Sequence, residues 1–149
     1  MKIIGGDAIK LAGRGDFDVL IHGCNCFNTM GAGIAKSIKE QYPGAFDADC
    51  VTVAGNRGKL GRYSSYITDN GLVIINAYTQ YGYGKARDVD YEAVARVFAQ
   101  IKKDINGESI CYPMIGCGLA GGSWDIVGAI INEELKGEDH TLVVFPEGV

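Results

Sequence analysis

Apolar and polar positions alternate along the chain in blocks of two different periods. Lys2–Gly5 is a short apolar start, and Asp18–Cys24 is a compact, β-branched apolar run of the kind that forms a buried strand. Gly33–Tyr42 places Ile34, Ile38 and Tyr42 at helical spacing before Pro43-Gly44 ends the pattern. Ser64–Thr68 and Leu72–Ala77 flank Asp69-Asn70-Gly71, a hairpin signal. Asp90–Ile105 carries Tyr91, Val94, Val97, Phe98 and Ile101 as one amphipathic stripe. Ile110–Ile115 reads as a strand, Trp124–Leu135 as a helix and Thr141–Phe145 as a last strand. This alternation predicts an α/β fold, a three-layer α/β/α sandwich around a mixed sheet, with the hairpin as its antiparallel part.

The 149 residues fit one domain, 1–149, with no repeat or linker. The 22 glycines are about twice the usual share of roughly 7%, and with only 3 prolines they point to turns and close backbone approaches. A net charge of −4 argues against a general nucleic-acid binder. It leaves room for a small anion held by backbone amides and helix N-termini. No run approaches the roughly 20 apolar residues of a membrane helix, and the N-terminal apolar run is too short for a signal peptide, so the expectation is a cytoplasmic monomer. The five cysteines, an odd count, read as reduced thiols. Cys24 and Cys26 are too close together for a zinc knuckle, so no metal is expected.

Two strand-to-helix junctions carry the chemistry. One is Cys24-Asn25-Cys26-Phe27-Asn28-Thr29-Met30-Gly31-Ala32-Gly33-Ile34, and the other is Ile115-Gly116-Cys117-Gly118-Leu119-Ala120-Gly121-Gly122-Ser123-Trp124. Ligands in α/β sheets bind beyond the carboxyl ends of the strands, where such junctions meet. A pair of glycine loops on adjacent strands would grip the two phosphates of a pyrophosphate; either loop alone would more simply be a tight turn. The first lacks the third glycine of a dinucleotide fingerprint, and there is no P-loop motif.

Together with Gly6-Asp7-Ala8-Ile9, the segments HGCNCFNTMGAGIAKSI and YPMIGCGLAGGSW resemble the macrodomain family of ADP-ribose binders, over Lys2 to Phe145. The resemblance is nearest to the small branch of ADP-ribose 1″-phosphate phosphatases and terminal ADP-ribose protein glycohydrolases. It implies that the ligand is ADP-ribose or ADP-ribose 1″-phosphate, with no cofactor. It assigns Asp7, with Ala8 and Ile9, to the adenine, and Asn25 to the distal ribose. Met30, Gly31, Ala32, Gly33 and Ile34 would cover the diphosphate and distal ribose. Ile115, Gly116, Cys117, Gly118, Leu119 and Ala120 would form the second phosphate loop. Asp7 also reads, without the resemblance, as the N-cap of a short segment Ala8–Leu11. Tyr78, Gln80, Tyr81 and Tyr83 read equally as a wall near the adenosine or as core rings.

Catalysis divides the branch. Gln80 and Ala120 stand where its glycohydrolases carry a lysine nucleophile and an aspartate, which excludes that chemistry. His22-Gly23-Cys24-Asn25-Cys26 meets the phosphatase pattern, so the expected catalytic residues are His22 and Asn25, with His22 as acid or nucleophile. His22 also reads as a buried strand residue, and Asp125 as a first-turn carboxylate rather than an acid. A non-catalytic reader of ADP-ribose, and a hydrolase releasing ADP-ribose from protein or nucleic acid, are the alternatives.

Overall fold

A computed structural model describes residues 1–84, 88–118 and 120–146. The strands are β1 (Lys2–Gly5), β2 (Val19–Cys24), β3 (Tyr63–Ile67), β4 (Val73–Tyr78), β5 (Ser109–Tyr112) and β6 (Asp139–Val144). The helices are α1 (Ala8–Gly13), α2 (Gly33–Gln41), α3 (Pro43–Val51), α4 (Tyr91–Asp104) and α5 (Trp124–Glu134). The strands form one sheet in the order β1-β6-β5-β2-β4-β3. Among these six strands, β3 and β4 pair antiparallel and the other pairings are parallel.

Side chains alternate across β2, and this alternation makes two cores. Val19 and Ile21 join Ile75, Ile110, Tyr112 and Leu142 beneath α4 and α5. Leu20 and Cys24 join Ile74, Tyr78, Cys111 and Val143 on the face covered by α1, α2 and α3. The expected three-layer sandwich around a mixed sheet is therefore present. The α4 stripe works as predicted: Val94, Val97, Phe98 and Ile101 are fully buried. Each such side chain contributes about 1.5–3 kcal/mol.

Two expectations need correction. The helix over 33–42 does end at Pro43-Gly44, but Pro43 is also the first residue of α3, since a missing N–H costs nothing in a first turn. Gly44 lets α3 close onto β3; a Cβ there would sit 2.2 Å from the Tyr66 ring. The strand over Ile110–Ile115 stops at Tyr112, because Pro113 has no N–H to continue the ladder. Pro113–Ile115 turns out of the sheet into the second glycine loop.

Candidate functional site

The parallel pairing of β2 with β5 stops early. Val19 faces Ile110 and Leu20 faces Cys111, after which β2 continues with β4 as far as Cys24 while β5 continues with β6. The helices following β2 and β5 cover opposite faces of the sheet, so the chain leaves this gap in two directions. Such a switch point opens a crevice at the carboxyl edge. Here it is a cleft of about 520 Å³, walled by Gly23, Cys24 and Asn25 on one side and by Pro113, Met114, Ile115 and Gly116 on the other. The volume lies within the range of small-molecule sites.

The first glycine loop forms the roof. Asn25 folds it locally: Oδ1 accepts from the Phe27 amide at 2.8 Å, and Nδ2 donates to Thr29 Oγ1 at 2.7 Å. Asn28 and Met30 both have positive φ, 60° and 40°, without being glycine. Such backbone persists only where the surroundings hold it. The buried Lys59 supplies the hold, donating from Nζ to Asn28 Oδ1 at 2.5 Å and to Cys26 O at 3.1 Å. Gly33, at φ 58°, then turns the chain into α2.

The start of α2 is unusual because its N-cap is Ala32, which has no side chain to cap the first turn. The amides of a first turn have no acceptor within their own helix. Gly33, Ile34 and Ala35 line the cleft, so the partial positive charge of the helix end faces it. Across the cleft, the Gly122 amide closes the second loop onto Gly116 O at 2.7 Å. Gly116 has φ 74°, and a Cβ there would meet Val89 at 2.5 Å, so only glycine fits this turn.

Met30, Gly31, Ala32, Gly33, Ile34, Asn25, Gln80, Ile115, Gly116, Gly118 and Ala120 all line this one cleft. Cys117 does not; its thiol donates to Ile115 O at 3.4 Å. Leu119 lies outside the described residues. Asp125 is an exposed first-turn residue of α5 away from the cleft lining.

Three placements differ from expectation. His22 is fully buried on the α1–α3 face, with Nε2 bonded to Asn76 Oδ1 at 2.6 Å, and is absent from the cleft wall. Burial pushes its ring down to about 4, so it is neutral near pH 7. Tyr78 is likewise inside, its hydroxyl donating to Asp49 Oδ1 at 2.7 Å; it is a core ring and not a ligand wall. Third, the segment after β4 is far from Asp7, because β6, β5 and β2 all lie between β1 and β4. Gln80 and Tyr83 line the cleft, whereas Asp7, Ala8 and Ile9 do not.

Asp7 itself caps α1, Oδ1 accepting from the Ile9 amide at 3.0 Å and the Lys10 amide at 3.3 Å. Ala8 and Ile9 are core residues beneath it. Phe145, 61% exposed, follows β6 immediately beside this cap, where the Gly6 amide donates to Val144 O.

Three further positions near the carboxyl edge of the sheet escaped the sequence reading. Met114 lines the cleft as the side chain after Pro113. Phe145 is an exposed aromatic at a strand's carboxyl end, a signal that was legible. Asp49 reaches the cleft from α3, and no motif marks it. Burial raises its carboxyl above the usual range, against the opposing pull of the Tyr78 hydroxyl and Lys59. Cys24 is a buried thiol held well above its usual range by burial, so it is no thiolate nucleophile. Among the described residues no group of three or more His, Cys, Asp or Glu is placed to hold a metal ion, and no helix is long and apolar enough to cross a membrane.

Comparison with known proteins agrees with this architecture. An uncharacterized 17.5 kDa protein of Enterobacteria phage T4 is 32% identical over 140 residues, 89% of this chain and 88% of the phage protein. An ADP-ribose 1″-phosphate phosphatase of Aspergillus oryzae is 50% identical over 32 residues only, 22% of this chain and 16% of that protein. The structure of Thermosipho africanus DarTG in complex with ADP-ribose superposes with a TM-score of 0.72 at 18% identity, over 100% of this chain and 43% of that one. The Macro domain family profile matches residues 21–131, so the chain belongs to the Macro domain family.

Proposed function

We propose that this macrodomain binds ADP-ribose along the carboxyl edge of its sheet. The observation that carries the reading is the uncapped N-terminus of α2 facing the Gly116–Gly122 turn across one cleft. Two sets of backbone amides on opposite walls suit a diphosphate bridge. The adenine then lies on the β1–β6 side, where the Asp7 carboxylate, beside its capping bond to the Ile9 amide, would accept from a 6-amino group and the exposed Phe145 ring would stack. The distal ribose lies on the β2–β4 side, beside Asn25 and Gln80. The ADP-ribose in the DarTG structure supports this choice of ligand.

A phosphatase acting on ADP-ribose 1″-phosphate is the second reading, favoured by the short match to the Aspergillus oryzae enzyme. Of the two residues expected to carry it, Asn25 lines the cleft and His22 does not. His22 is buried, neutral and behind the wall, so the expected catalytic role passes to groups that line the cleft. Asn25 is one, its side chain held by the Phe27 amide and Thr29 and so suited to positioning the ligand. The amides of the loops would stabilise charge on a transferred phosphoryl group. Gln80 and Ala120 carry neither amine nor carboxylate, so lysine-dependent release of ADP-ribose is not proposed.

Titration calorimetry with ADP-ribose tests the first reading, and absence of binding at millimolar ligand overturns it. Phosphate release from ADP-ribose 1″-phosphate tests the second. A binder that releases no phosphate is a reader.

A further inference from the structure

Lys59 is 7% exposed, and lysine is seldom buried to that extent unless something requires its charge there. Its ammonium donates to Asn28 Oδ1 at 2.5 Å and to Cys26 O at 3.1 Å, and it lies 4.6 Å from the centre of the Tyr78 ring. Both acceptors are uncharged groups of the first glycine loop.

Neither acceptor depends on the ammonium for a donor. Cys26 O also accepts the Gly55 amide at 2.7 Å, and the Thr52 hydroxyl stands 3.2 Å from Asn28 Oδ1 and can rotate to it. An apolar side chain of the same length would leave little stranded. Satisfying polar groups therefore does not explain why a cation is buried here.

The position of the two bonds does. They grip the loop on either side of Phe27, just ahead of Met30, and one of them ends on Asn28 itself; Asn28 and Met30 are the two non-glycine residues with positive φ. The chain from Thr52 to Lys59 works with them as a strap. Asn28 Nδ2 donates to Thr52 O at 2.8 Å, and the Tyr81 hydroxyl ties Gly55 O down at 2.7 Å. Thr29, Met30 and Gly31 line the cleft, whereas Cys26, Asn28 and Lys59 do not. Lys59 reaches the cleft only through the loop.

We propose that Lys59 is a positioning residue for the cleft: its ammonium sets the roof in the binding conformation before any ligand arrives, so that the ligand does not bear the cost of ordering the loop from Asn28 to Gly33. The proposal takes its ligand from the ADP-ribose reading and its geometry from the strap alone. A site that is competent only part of the time binds more weakly by that fraction, and a preset loop avoids the loss.

Lys59→Met keeps the length of the side chain and removes its charge. Hydrogen exchange on the ligand-free variant should rise across residues 26–33 while α4 keeps its protection. Calorimetry should show ADP-ribose bound about tenfold more weakly, as for a roof that is competent about a tenth of the time. Adding Asn28→Gly to Lys59→Met should bring affinity back to within about twofold of the wild type, because glycine holds a positive φ unaided. A general structural defect would not be rescued in this way. Unchanged affinity in Lys59→Met overturns the proposal. So does a loss that Asn28→Gly leaves unrepaired, or exchange that rises in α4 as much as in the loop. If the wild type binds no ADP-ribose, the ADP-ribose reading falls and exchange alone decides: a rise confined to the loop supports the positioning role, and no rise overturns it. Should Lys59→Met fail to fold, Asn28→Ala and Asn28→Gly are compared with Lys59 in place. Both lack the acceptor of its 2.5 Å bond, and they differ in their tolerance of positive φ. Weaker binding by Asn28→Ala than by Asn28→Gly supports the proposal, and equal binding overturns it.

Discussion

His22 and Asn76 form a hydrogen bond of 2.6 Å behind the wall of the cleft, between neighbouring residues of β2 and β4. Asn76 Nδ2 already donates to Ala45 O and Ser64 Oγ, so its Oδ1 is the acceptor and His22 Nε2 carries the proton. This assignment follows from the network. It leaves Nδ1 unprotonated beside the Cys24 thiol at 3.7 Å. The neutral ring is satisfied where it stands, and a second proton would be buried with only a sulfur to receive it.

Stability should therefore depend on pH through His22. Burial holds its folded pKa near 4, below the ordinary 6.5, so the folded state prefers the neutral ring. The contribution is fully present above pH 6.5 and is lost as pH falls toward 4, because the unfolded chain takes up the proton first. The two values differ by about 2.5 units, an order-of-magnitude loss of about 3 kcal/mol. Urea midpoints between pH 7 and pH 4 measure it, and the slope attributable to this group is the difference between wild type and His22→Gln. Equal slopes in the two proteins would show that His22 is not buried neutral.

The same residue shows what the chain's pattern could and could not reveal. Alternation along Val19–Cys24 places His22 with Leu20 and Cys24, opposite Val19 and Ile21, and so marks it as a one-sided strand residue. Which face holds the ligand is a tertiary fact. The two glycine loops were legible because each combines a strand end, glycines and a helix start within about ten residues. The buried polar cluster of Asp49, Tyr78, Asn76 and Lys59 was not, since its members come from α3, β4 and the turn around residue 59. Helix α3 was itself hidden: Pro43-Gly44 reads as a stop, and the face it buries consists of Ala45 and Asp49 rather than an apolar stripe.

Asp7 caps α1 and, in the proposed binding mode, also meets the adenine; mutation can separate the two. Asp7→Ala removes both the α1 cap and the carboxylate, with an expected stability loss of about 0.5–2 kcal/mol. Asp7→Ser keeps a capping oxygen and should restore most of that stability. Both variants should weaken ADP-ribose by about 1–3 kcal/mol, the loss expected for a hydrogen bond to a charged group. ADP should weaken to the same extent, because the contact lies at the adenine. Unchanged dissociation constants for Asp7→Ser in calorimetry would remove the adenine assignment.

Gly33 stands at φ 58° with open space where a Cβ would be, inside the proposed diphosphate contact. Gly33→Glu should fold, with the melting temperature lowered by the strain of a left-handed residue, roughly 1 kcal/mol. Its side chain would point a negative charge at the amides of α2. ADP-ribose binding should fall by about two orders of magnitude, from lost contact and repulsion together. Binding at the wild-type level would mean that this loop does not meet the phosphates.

The missing cap of α2 gives the sharpest test, because stability and binding should move in opposite directions. Ala32 has the extended backbone of an N-cap, φ −148° and ψ 158°, without a capping side chain. Ala32→Asp supplies one, and capping with a favourable helix-end charge should raise stability by about 0.5–2 kcal/mol. The carboxylate would then occupy the amides otherwise available to a phosphate, so ADP-ribose binding should weaken at least about tenfold. Thermal melts and calorimetry on one preparation measure both effects. A variant that is more stable and binds as well as the wild type would show that the α2 N-terminus is not an anion site; one that loses both stability and binding would point to a disturbed loop rather than to competition for its amides.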